Sequence, residues 1–96
     1  MTKSKYYQAL RTEQLNHEIK ALEYELHYCE SYSSDSYWLK CADRSDHAGW
    51  AVSDAIDNIF GKKYRENTED NELNRDLLNQ WLTLYLKIKD AKKQAA

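Results

Sequence analysis

The sequence predicts an all-α domain, a small antiparallel bundle of about three main helices that self-associates, and three observations predict it. The chain has 96 residues, no proline, and only two glycines, Gly49 and Gly61. Little is present to break helices or to build tight turns. Apolar residues recur at three- and four-residue steps in three separate stretches, the period of a helix with one buried face. A chain this short buries roughly 60–65% of its unfolded surface, so association with further copies is a common source of added stability.

The first stretch is Leu15, Ile19, Leu22, Leu26 and Cys29, a helical seam within a helix over about 12–31. Thr12 is placed to cap it, and Tyr6, Tyr7 and Leu10 fall in a short arm over 1–11. Residues 31–36, SYSSDS, have the most loop-like composition in the chain. A second helix follows over about 36–60, with a stripe of Trp38, Cys41 or Ala42, Ser45, Ala48, Val52, Ala55 or Ile56, and Ile59. Its small residues admit a close neighbour. Gly49 in mid-helix costs about 1 kcal/mol relative to alanine, which points to close backbone packing or a kink there. Trp50 lies off the stripe and marks a second contact surface. Gly61 ends this helix, and a polar stretch runs to Asp70.

The third helix is expected over about 71–94, with Leu73, Leu77, Trp81, Leu84 and Ile88 on one face. Leu78, Leu82, Tyr85 and Leu86 widen that face into an arc broad enough for more than one neighbour. Trp50, Leu78, Trp81 and Leu82 are therefore the candidate interface residues. One domain spans residues 1–96, with no internal repeat.

Charge and motif content narrow the function classes. Fourteen Lys and Arg face sixteen Asp and Glu, and the sum hides a gradient. Residues 1–20 carry four basic and two acidic groups, residues 21–60 two and eight, and residues 61–96 eight and six. A duplex-DNA binder needs a concentrated basic face, which this pattern lacks. No apolar run reaches the roughly 18–20 residues of a membrane span, and no signal peptide is recognisable, so a cytoplasmic protein is expected. Cys29 and Cys41 then read as reduced thiols rather than a disulfide. There is no glycine-rich phosphate loop, nucleophile elbow or HExxH, and the His and Cys spacings do not suit zinc. The sequence therefore predicts no enzyme, no cofactor and no metal.

Tyrosine is the unusual feature, with eight in the chain and Tyr6, Tyr7, Tyr24, Tyr28 and Tyr32 in its first third. Such rings flank a helical seam, anchor an interface or stack on bases equally well. Tyr6 and Tyr7 lie among Lys3, Lys5 and Arg11, where stacking rings beside phosphate-pairing cations make a small nucleotide site.

Two blocks resemble a known family. Residues 16–22, NHEIKAL, resemble the NEIKALG helix of the phage anti-CBASS sponge proteins. Residues 38–51, WLKCADRSDHAGWA, resemble that family's W-V-x-I-A-R-x-x-L-Q-x-G-F-M-A block, with Trp38, Leu39, Ala42, His47, Gly49 and Trp50 in register. The resemblance implies a helical oligomer that sequesters a cyclic di- or trinucleotide messenger in the cytoplasm of the host cell. It assigns Lys20 to the ligand phosphate, Tyr6 or the neighbouring Tyr7 to a base, and Arg11 to a supporting part. Glu23 replaces the family's glycine, and residues 61–96 have no counterpart. The competing expectation is a small inhibitor of a protein target, of the anti-CRISPR, antitoxin or toxin-immunity type. There the acidic 21–60 stretch faces a basic surface and Trp50 anchors the contact. A ligand-free helical assembly subunit is the third.

Overall fold

The computed structural model describes residues 3–30 and 36–95. They form α1 (Lys3–Glu30), α2 (Tyr37–Phe60), α3 (Lys62–Asn67) and α4 (Glu72–Ala95), with no strand among the described residues. Most of the loop-like SYSSDS stretch lies outside the described residues.

α1 is the centre of the fold. α2 and α4 both pack along it, and their backbones stay apart from each other. α2 runs antiparallel to α1: Trp38 stacks on His27 and Tyr24 near one end, while Phe60 meets Tyr6 and Tyr7 at the other. α4 then returns in the direction of α1. Its first residues meet Gln8 and Thr12, and its last turn reaches Glu25. The bundle is thus open on one side, a V of two helices on a common spine.

The sequence places the spine's core where the structure has it, at Leu15 (1% exposed) and Ile19 (6%), opposite Ala42, Ile56 (0%) and Ile88. Leu22, Leu26 and Cys29 are half-buried, as are most of the α2 stripe residues. Gly61 adopts φ 87°, a conformation that favours glycine, and its N–H caps the Asp57 carbonyl at 2.9 Å. The Asn71 side-chain oxygen accepts the Asn74 N–H at 3.0 Å, satisfying one of the free donors that open α4.

Four local expectations need correction. The arm over 1–11 does not exist as such: α1 is already helical from Lys3, because Tyr7 and Gln8 find partners on α2, α3 and the approach to α4. Thr12 is consequently no cap. It lies inside α1 and donates its hydroxyl to Asn74 Oδ1 at 2.7 Å. The polar stretch after Gly61 contains a six-residue helix, α3, which Arg65 fastens to the spine. Finally, the inward faces are rotated. Asn74 (0% exposed), not Leu73 (57%), faces α1 at the start of α4, since it completes the polar contact with Thr12. Ile59 is 53% exposed because Ile56 and Phe60, one turn apart, take the inward positions at the end of α2.

Gly49 is buried against α1, as the helix-propensity argument requires. A β-carbon built there would lie 3.4 Å from Glu18 Cγ and 3.5 Å from His17 Cβ. That is ordinary contact, so the two helices approach closely but leave room for one methyl group.

Candidate binding site

The four residues expected to hold a nucleotide do not converge within one chain. Tyr7 is 2% exposed, its ring meeting Phe60 and Tyr64 edge-on at 5.4 Å each. Burial pushes its hydroxyl above the usual tyrosine range. Tyr6 is 42% exposed and rests on Phe60 at 5.8 Å. Arg11 is engaged by Asp70 at 3.4 Å and by the Gln14 side chain at 3.1 Å. Lys20 is exposed, its Nζ 5.7 Å from the Tyr24 ring centre. Nine residues separate Arg11 from Lys20, which puts them on opposite sides of α1 and about 13 Å apart along its axis.

Of the four interface candidates, Leu78 and Trp81 lie together, while Trp50 stands on α2 and Leu82 on the exposed side of α4. Trp81 and Tyr85 stack at 5.3 Å with their planes 6° apart, and Leu78 is half-buried beside them. Leu82, Tyr85 and Leu86 are each close to half exposed. Leu78, Trp81 and Tyr85 form the α4 side of a groove along α1, and Leu82 and Leu86 lie outside its lining. Two depressions meet at Trp81. One, of about 350 Å³, lies among Leu22, Glu25, Trp81, Tyr85, Ile88, Lys89 and Lys92. The other, of about 320 Å³, lies among Arg11, Gln14, Glu18, Arg65, Leu78 and Trp81.

α2 flanks α1 on the other side of these depressions, and its side chains lie outside the lining of both. Asp43, Asp46, Trp50, Asp54 and Asp57 recur at steps of three and four, so they form one stripe of that helix. Asp46 identifies the side on which it lies. Its carboxyl is raised above the ordinary aspartate range, first by burial and then by the nearby charges of Glu25, Glu18 and Asp43. Trp50, at 57% exposure, rises from the middle of the stripe and packs its ring against His47 at 5.0 Å.

Both ends of the groove are neutralised internally. Arg65 donates to Ser53 Oγ at 2.7 Å, to Asp57 Oδ1 at 3.1 Å and to Gln14 Oε1 at 3.2 Å, tying α3 to both α2 and α1. Lys92 reaches Glu25 at 2.9 Å at the far end. Between these ends, Glu18 and Asp46 have no salt bridge among the described residues. Sequence reasoning noted the acidic middle of the chain, which includes Glu25, and the off-stripe Trp50, but it missed Glu18 and Arg65. Only the packing of α2 on α1 brings the carboxylates of two helices together.

No cluster of three or more metal-ligating side chains occurs among the described residues, and Cys29 and Cys41 are free. No described helix is long and apolar enough to cross a membrane. No family model matches the chain, and neither curated proteins nor solved structures include a significant match.

Proposed function

We propose that this protein is a non-catalytic binding module that blocks or sequesters a protein target by taking one of its segments into the α1–α2–α4 groove. The observation that supports this most is the pairing of an apolar wall with an acidic one. Leu78, Trp81 and Tyr85 offer apolar area to a partner, while Glu18 and Asp46 are carboxylates without internal cations. The carboxylates attract a basic protein, with charge accelerating the encounter. Trp50 and Trp81 supply aromatic anchors of the kind that carry most of the energy at protein interfaces.

A second reading keeps the cyclic nucleotide of the sponge resemblance but moves it away from this groove. At the outer end of α1, Lys3 Nζ lies 4.5 Å from the Tyr64 ring centre, and Tyr64 stacks on Phe60 at 5.3 Å. Tyr6 is partly exposed alongside, so rings and cations meet there without the acidic stripe. Subunit contacts would have to bring Lys20 to it.

Calorimetry with a panel of cyclic di- and trinucleotides separates the two readings, combined with capture of a protein target by wild type, Glu18→Lys and Lys20→Ala. The protein-binding reading predicts no heat with nucleotides and a target lost only in Glu18→Lys. Sub-micromolar nucleotide binding that Lys20→Ala abolishes would overturn it.

A further inference from the structure

The chemistry of the two walls also constrains the occupant, given the reading of the groove as a protein-binding site. We infer that the groove accepts a single amphipathic α-helix of about four turns, with lysines or arginines along one edge of its apolar face.

Length comes first. The acidic stripe runs from Asp43 to Asp57, and the groove floor from Arg11 to Glu25. Each spans fourteen residues of helix, or about 21 Å. A helix laid in the gap extends over the same distance, which is about fourteen residues. Shape comes second. α2 and α4 both lean on α1 with their backbones apart, so the open side of the V has the form of the missing member of a four-helix arrangement. A helix satisfies its own backbone hydrogen bonds, whereas an extended segment would need sheet edges, and none occurs among the described residues.

Charge placement fixes the rest. The α4 wall is apolar through Leu78, Trp81 and Tyr85, so the occupant turns leucine-like side chains to that side at three- and four-residue steps. The α2 wall carries a carboxylate on nearly every turn, with Trp50 in the gap between Asp46 and Asp54. Asp57 is already held by Arg65, and Glu25 by Lys92. The open carboxylates are therefore Glu18, Asp46 and their neighbours on the stripe. Cations at steps of four and seven residues on the occupant meet them, and a guanidinium or ammonium beside Trp50 gains a cation–π contact as well.

The test uses the full chain and a designed helix of about 18 residues, stapled to stay helical, with leucines on one face and lysines along its edge. Emission from Trp50 and Trp81, together with calorimetry, reads its binding. A lysine-to-glutamate version and a leucine-to-serine version serve as controls. The inference expects micromolar or tighter binding by the lysine helix and weakening of about tenfold or more with either control. A loss of about tenfold is also expected for the conservative pair Glu18→Gln and Asp46→Asn, which leaves the core untouched. Equal binding of the lysine and glutamate helices would overturn the basic-partner inference and leave the groove reading intact. No binding by any helix, with light scattering giving a dimer that Glu18→Lys dissociates, would overturn it in favour of a second copy. α4, with Leu82, Leu86, Lys89 and Lys93 exposed, would then be the segment inserted. No binding by a protein that stays monomeric would overturn both.

Discussion

Replacing Gly49 with alanine should stabilise this protein, although the residue is buried where α2 crosses α1. The built β-carbon meets Glu18 Cγ at 3.4 Å, His17 Cβ at 3.5 Å and the Gln14 carbonyl at 3.7 Å. None of these is a clash, and the nearest belongs to a flexible side chain that can shift by a few tenths of an ångström. Alanine in mid-helix gains about 0.8–1 kcal/mol over glycine by restricting the unfolded chain. Burying the added methyl contributes at most a comparable amount, and local crowding subtracts part of it. The net expectation is about 1 kcal/mol of added stability, or a rise in Tm of about 4–8 °C for a domain of this size. Leucine at the same position has no such room and should cost about 1–3 kcal/mol by forcing the helices apart. Thermal and urea unfolding followed by circular dichroism measure both. A Gly49→Ala variant less stable than wild type by 1 kcal/mol or more would mean that α1 and α2 approach too closely for a methyl group, and that glycine is obligatory.

Three further outcomes follow from the polar contacts. Asp46→Asn should raise the Tm at neutral pH. The folded state holds this carboxyl above the ordinary range, so its ionisation opposes folding above the folded pKa, and that penalty is relieved as pH falls toward 3.8. The advantage of the variant should therefore shrink in mildly acidic buffer, and an advantage independent of pH would refute the assignment. Arg65→Ala removes one guanidinium shared by Ser53, Asp57 and Gln14, and should cost about 1–3 kcal/mol in urea unfolding. Exchange of the α3 amides should accelerate more than that of α1. Asn74→Leu leaves the Thr12 hydroxyl without its partner and should cost about 1–3 kcal/mol, while Thr12→Val combined with it should recover most of the loss. A double variant as unstable as the sum of the singles would show that the two side chains do not act as a pair.

The fold was legible where local pattern and tertiary packing agree. The helical periodicity that buries Leu15 and Ile19 on α1, Ile56 on α2 and Ile88 on α4, with the stop at Gly61, already describes three long helices and one of their turns. It was illegible where long-range polar contacts decide. Thr12 has the composition of a helix cap, yet its partner is Asn74, 62 residues away. Tyr7 lies in a basic stretch that suits a ligand site, yet Phe60 and Tyr64 enclose it. The start of α1 and the existence of α3 likewise depend on Tyr7, Gln8 and Arg65 meeting residues far along the chain. For the groove, the sequence supplied Trp50, Leu78, Trp81 and Leu82 as interface candidates and an excess of acid over residues 21–60. That Glu18 and Glu25 of α1 lie near Asp46 of α2 follows from the crossing at Gly49, which no single-helix periodicity contains.

The central claim is that the working surface is the groove between α2 and α4, and site-specific photo-crosslinking in the expressing cell tests it most directly. A photoreactive amino acid is placed at Tyr85 or Trp50 on the two walls, or at Lys20 on the far side of α1, each in the otherwise intact chain. The account predicts a discrete protein adduct from both wall positions, lost when Glu18→Lys is added, and none from Lys20. Adducts from Lys20 alone, or wall adducts unaffected by Glu18→Lys, would contradict it.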